Sequence, residues 1–160
     1  MRNLVKICAF ALALTCTTTS VSAATIYTPA PNTVVTITGG IKINAGGFPL
    51  ADCTVSLSGI TDLTGVTITG GVTNPRNGST GCNNLLQFPF RMDVTQWVAT
   101  SSKVLFPYIR VNTPLGFCTA TNVSFSWSNL YSFARNFSFP IPPYCSGEFE
   151  IYTSPSIYVQ

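Results

Sequence analysis

Glu148 and Glu150 are carboxylates whose spacing suits acid–base chemistry: on a strand, positions i and i+2 share a face, within the range of paired glycosidase acids. The competing reading, a solvated strand face near the C-terminus, is the expected one. Serine and cysteine nucleophiles commonly need an imidazole as proton acceptor, and the 160 residues include no histidine. Ser102 and Lys103 are adjacent, so a strand would turn them to opposite sides. Gly39-Gly40, Gly46-Gly47 and Gly70-Gly71 lack a phosphate-cradling pattern and read as turns. With no convergent acid–base set, no catalytic residue and no cofactor are expected, and the chain does not read as an enzyme.

The cysteines carry the remaining chemistry. Of six, Cys8 and Cys16 fall in a segment that reads as a secretory leader: Arg2 and Lys6, an apolar run from Ile7 to Leu14, then "VSAA" with Val21 and Ala23 at the small-residue positions. Cleavage after Ala23 would remove residues 1–23 and leave 24–160 as a single secreted β-domain, extracellular or on the cell surface. Cys53, Cys82, Cys118 and Cys145 remain, an even set that reads as two disulfides in an exported chain. Three connectivities are open. Cys53 with Cys82 and Cys118 with Cys145 is the favoured one, each closing a loop of under thirty residues worth about 3 kcal/mol. A metal site is disfavoured by the lack of histidine and of C-x-x-C spacing.

The leader takes two of the eight basic residues and none of the five acids (Asp52, Asp62, Asp93, Glu148, Glu150), so the formal charge falls from +3 to +1. Lys42, Arg76, Arg91, Lys103, Arg110 and Arg135 are scattered, which argues against nucleic acid or an anionic membrane as partner. Charged residues make up only 8% of the chain, against about a quarter in ordinary soluble proteins. The surface must therefore be built from Thr, Ser, Asn and exposed apolar groups.

The elements that position these residues are strands. "TVVTITGG" at 33–40 recurs as "TGVTITGG" at 64–71, and in both the pairs Val35/Ile37 and Val66/Ile68 are expected to face inward. Two copies do not make an array; each reads as a strand, a Gly-Gly break and a connection that delivers a cysteine. Further strands are predicted in "CTVSLSG", "LLQFPF", "MDVTQWVAT", "KVLFPYIRV", "ATNVSFSW", "EFEIY" and "SIYVQ", with turns at Ser58-Gly59 and Asn77-Gly78. Pro89 and Pro107 point to edge strands or bulges. The fold class is all-β, a disulfide-braced antiparallel sandwich or small barrel-like domain. A membrane-spanning barrel is disfavoured by the cysteines and by the ending Val159-Gln160, and no apolar run after the leader is long enough to span as a helix.

"FPF" at 88–90, "LFPY" at 105–108 and "FSFPIPPY" at 137–144 set large rings beside proline. Most aromatic rings belong in a core, but an exposed subset would mark a site for a protein, a surface or a hydrophobic substrate. Phe88, Phe90, Phe106, Tyr108, Phe137, Phe139 and Tyr144 are the candidates for such a surface.

The order of "CTVSLSG" from Cys53, "GVTITGG", "GCNNLLQFPF" around Cys82, "PLGFC" ending at Cys118 and "NVSFSW" resembles the PraB family of exported bacterial activators of alkane oxidation. The resemblance implies a secreted accessory protein that promotes growth on water-insoluble alkanes without being the oxygenase. Its partner would be an alkane-like hydrophobic substrate or interface. The alternative is a structural subunit or adhesin of a filament or biofilm matrix, self-associating through edge strands. "ATIYTPAPNTVVTIT" at 24–38 would then be an exchanged strand hinged at Pro29 and Pro31.

Overall fold

The computed structural model describes residues 26–98 and 101–159; the expected leader lies outside them. Ten strands follow in order: β1 (Ile26–Thr28), β2 (Val34–Ala45), β3 (Phe48–Thr61), β4 (Gly65–Pro75), β5 (Phe90–Val98), β6 (Ser101–Thr113), β7 (Gly116–Ser128), β8 (Phe133–Ile141), β9 (Cys145–Ser154) and β10 (Tyr158–Val159). Strands β2 to β9 each pair antiparallel with the next, and β9 closes on β2, so the all-β architecture is an eight-stranded up-and-down barrel rather than a sandwich. β1 and β10 pair separately as a short ribbon.

Period-two alternation decides what the barrel encloses. Val35, Ile37, Ile41 and Ile43 of β2, Val55 and Leu57 of β3, and Phe149 and Ile151 of β9 are buried. Thr36, Thr38, Ser56, Ser58, Ser124 and Ser126 between such positions are exposed. The interior is filled by rings: Phe106 lies 5.1 Å from Phe125 and 5.7 Å from Phe149, and Phe125 lies 5.6 Å from Phe139. A barrel of this strand number either holds a ligand or is filled by its own side chains, and the described rings pack against one another inside this one. A membrane-spanning barrel has the opposite polarity, with its apolar band outside.

The two octapeptides lie in β2 and β4, on either side of β3, and Val35, Ile37, Val66 and Ile68 are all buried as expected. Their glycine pairs are not breaks. Gly39-Gly40 and Gly70-Gly71 lie within β2 and β4, where glycine is needed for close strand approach: a Cβ on Gly39 would stand 1.9 Å from the Glu150 carbonyl oxygen, and one on Gly71 2.6 Å from Leu57 Cα. Ser58-Gly59 is likewise inside β3, at a register shift against β4. Gly46-Gly47 is a turn, with φ of 58° and 85°, and so is Asn77-Gly78, with φ of 51° and 74°. "LLQFPF" is largely connection, touching the sheet through a bridge from Leu86 to Val111 and entering β5 only at Phe90.

Two of the barrel's ladders are short. β2 and β3 share twelve residue pairs, whereas β4 and β5 share four and β7 and β8 three. Each short ladder has a disulfide beside it. Cys53 of β3 is bonded to Cys82 in the connection 76–89, which crosses above the β4–β5 ladder to reach β6: Asn112 N–H donates to Leu85 O at 2.9 Å. Cys118 of β7 is bonded to Cys145 of β9, spanning β8. The connectivity is the favoured one, and both bonds lie toward the end of the barrel that carries the β2–β3, β6–β7 and β8–β9 turns. The β1–β10 ribbon covers the other end, burying Ile26, Ile157 and Val159, with Trp127 Nε1 donating to Ile157 O and Asn129 bonded twice to Val159.

Candidate interfacial site

At the disulfide end, the β6–β7, β8–β9 and β2–β3 turns follow one another around the rim, because β7 pairs with β8 and β9 with β2. Their sequences, "TPLGF", "IPPY" and "GGFPL", put apolar residues where turns normally carry polar ones. Leu115 is 71%, Phe117 54%, Tyr144 37% and Phe48 77% exposed. The turns hold one another: Gly46 N–H donates to Tyr144 O at 3.0 Å and Thr119 N–H to Pro142 O at 2.8 Å. The Tyr144 hydroxyl lies over Gly116, 3.2 Å from where a Cβ would be. The rest of this rim is polar, formed by Arg76, Asn77, Thr80 and Asn83 of the connection 76–89.

The candidate surface residues divide. Tyr108 and Tyr144 are exposed and Phe88 is half-buried, stacked 5.6 Å from Phe90. Phe90, Phe106 and Phe139 belong to the core and are removed from the surface set. The side chain of Phe137 lies outside the described residues. Phe106 and Tyr108 show why spacing misled: Val104 and Phe106 face inward, then Ile109 and Val111 do, so the alternation slips by one residue at Pro107. It slips in β7 as well, where Asn122 has φ of 56° between inward Ala120 and inward Phe125. Pro107 thus marks a corner in a closed barrel rather than an edge strand. Phe48, Leu115 and Phe117 were not among the candidates; their signal was an apolar residue beside a turn glycine.

Below the rim, β7 and β8 diverge after the pair Ser126 and Arg135. Between them lies a cleft of about 380 Å³ lined by Thr119, Ala120, Thr121, Val123, Phe139 and Pro140, among others. Gly147 on β9 makes room for the Phe139 ring beneath it, since a Cβ there would stand 2.7 Å from Phe139 Cζ.

The five acids are all paired with cations, in two clusters. Glu148 and Glu150 share the outer face of β9, each with a cation: Lys42 Nζ is 3.6 Å from Glu148 and Arg135 Nε 3.5 Å from Glu150. Asp52 lies 3.5 Å from Arg76 in the same stripe. Ser102 is buried and Lys103 exposed, on opposite faces. A second cluster fastens the β3–β4 turn. Asp62 accepts from Thr64 N–H at 2.7 Å and Gly65 N–H at 2.9 Å, and takes two bonds from Arg91, which also pairs with Asp93. The Arg91 hydrogen bonds hold the Asp62 carboxyl well below the usual carboxylate range, and the same contacts push Arg91 upward.

The ribbon end also exposes apolar tips, Leu63, Leu130 and Tyr131, but the ribbon separates them: Ile26 N–H is bonded to Leu63 O, and Val159 to Asn129. At the disulfide end the linked turns bring Phe48, Leu115, Phe117 and Tyr144 to one rim. No helix among the described residues is long and apolar enough to cross a membrane.

Neither the curated proteins nor the solved structures contain a match to this chain. The model of the alkane oxidation protein activator PraA/PraB-like family matches residues 1–160, and the chain belongs to that family.

Proposed function

We propose that the protein is a secreted, non-enzymatic activator of alkane oxidation that works at the boundary between water and a hydrophobic substrate or cell surface. The carrying observation is the rim of three linked turns presenting Phe48, Leu115, Phe117 and Tyr144 on a disulfide-braced end. Withdrawing such side chains from water is worth about 1.5–3 kcal/mol each when burial is complete, so a few suffice to hold a molecule at an oil surface. Disulfides suit the oxidising compartment that the leader implies, by way of the periplasm of a bacterium. The packing of Phe106, Phe125, Phe139 and Phe149 inside the barrel supports a role for its outer surface. The carboxylates with acid–base spacing are taken up by Lys42 and Arg135.

A matrix or filament role has one supporting observation: the β1–β10 ribbon is an open two-stranded sheet with strands of three and two residues, whereas β2 to β9 form a closed barrel without an edge. Purified residues 24–160 should lower hexadecane–water interfacial tension and sediment with hexadecane droplets. Indifference to both would overturn the interfacial role, and fibres in place of adsorption would favour the matrix role.

A further inference from the structure

Among the described residues, Arg110 stands apart from the charge networks. Among the described residues all five acids are paired elsewhere, with Lys42, Arg76, Arg91 and Arg135. Arg110 has no carboxylate; its guanidinium lies over the Phe117 ring, 4.1 Å from the centroid, and its Nε is buried without a hydrogen-bond partner. A buried donor left in that state is costly. Lys103, the other cation outside the networks, is exposed and adjoins none of the rim or cleft residues.

The register places Arg110 one strand away from a cleft. Arg110 of β6 is directly opposite Thr119 of β7, and Thr119 lines the cleft between β7 and β8. Neighbouring strands lie about 4.8 Å apart, so a group bonded to Arg110 is one strand from the cleft mouth. The lining beyond is Ala120, Val123, Phe139, Pro140 and Pro142 together with Thr121 and Asn122, and the volume of about 380 Å³ is at the small end of ligand sites. One end of the site is cationic and the other largely apolar.

We infer that Arg110 and the β7–β8 cleft bind a single-chain amphiphile with an anionic head, a long-chain carboxylate, with the head on the guanidinium and the alkyl chain laid into the cleft. Such a molecule is what terminal oxidation of an alkane to its acid yields. The inference adds a soluble ligand to the interfacial reading and uses residues separate from Phe48 and Leu115, so either can fail alone.

The test uses purified residues 24–160 and displacement of a dansyl-undecanoate probe below the micellar concentration of each competitor. Dodecanoate should bind about tenfold or more tighter than dodecan-1-ol, as a charge-assisted bond implies, and dodecyltrimethylammonium weakest. Arg110→Gln should bring dodecanoate down to the level of the alcohol, and Arg110→Lys should retain part of the preference. Thr121→Trp, on the outer face over the cleft, should weaken dodecanoate and dodecan-1-ol alike while leaving the fold intact by circular dichroism. Equal binding of acid and alcohol by the native protein, or an acid preference that survives Arg110→Gln, would overturn the proposal. So would sedimentation with phosphatidylglycerol vesicles without displacement by dodecanoate, which would assign the anion to a membrane headgroup.

Discussion

Cys118 and Cys145 are joined across β8, the strand that shares only three residue pairs with β7. The bond ties β7 directly to β9, whose own ladder with β8 continues as far as Ile141 opposite Cys145. It braces the β7–β8 cleft without closing it. The Cys53 to Cys82 bond stands in a similar relation to the β4–β5 ladder, through the connection 76–89.

Removing either bond should therefore cost stability locally as well as globally. Cys118→Ala with Cys145→Ala is expected to lower unfolding free energy by about 2–4 kcal/mol. Amide exchange should rise first in 119–123 and 138–142, before the β2–β3 ladder. Uniform loss of protection across the barrel would contradict the bracing role.

The ring cluster should be the least forgiving part of the interior. Phe106 contacts the rings of Phe90, Phe125 and Phe149 and is 1% exposed. Phe106→Ala should cost about 3–5 kcal/mol in chemical denaturation, whereas Tyr108→Ala, two residues on but outward, should cost under about 1 kcal/mol. Similar losses at the two positions would show that the corner at Pro107 is wrong.

Acid should loosen the β3–β4 turn. The folded Asp62 carboxyl is depressed, chiefly by its bonds to Arg91, so its stabilising contribution is complete above the unfolded carboxylate value of about 3.9 and is lost as pH falls below it. Asp62 is partly open to solvent, which limits the effect to about 1 kcal/mol. Urea midpoints measured at pH 7 and pH 3 should differ less for Asp62→Asn than for the native chain; an unchanged difference would rule out this coupling.

Much of the fold is written in short-range pattern, and the departures have local causes. Val35, Ile37, Val66 and Ile68 announce their inward face because the period-two alternation of β2 and β4 is intact there. The Gly-Gly pairs mislead because strand glycine and turn glycine look alike until the partner strand is known; the Glu150 carbonyl beside Gly39 and the Leu57 backbone beside Gly71 separate them. β8 is not legible in the sequence because its "FARNFSFPI" contains proline and breaks register with β9 between Asn136 and Phe139. The rim was only partly legible: Tyr144 was named, but its neighbours Phe48, Leu115 and Phe117 are distant in sequence and meet because the barrel closes.

The glycine reading can be tested directly. Gly39→Ala would press a methyl into the β2–β9 ladder and should destabilise by more than about 2 kcal/mol. Gly40→Ala, whose Cβ would press on the flexible end of Arg76 at 3.1 Å and otherwise meet Cys53 O at an ordinary 3.8 Å, should be much milder. Equal tolerance at both positions would mean that the strands do not approach as described.

The interfacial role is tested most directly by pendant-drop tension at the hexadecane–water boundary, comparing the native protein with Phe48→Ser/Leu115→Ser and with Leu63→Ser/Leu130→Ser. Both variants change exposed residues and should keep the native unfolding midpoint. The expected result is that the disulfide-end variant loses most of the tension lowering while the ribbon-end variant keeps it. Full activity in the disulfide-end variant would contradict the assignment of that rim.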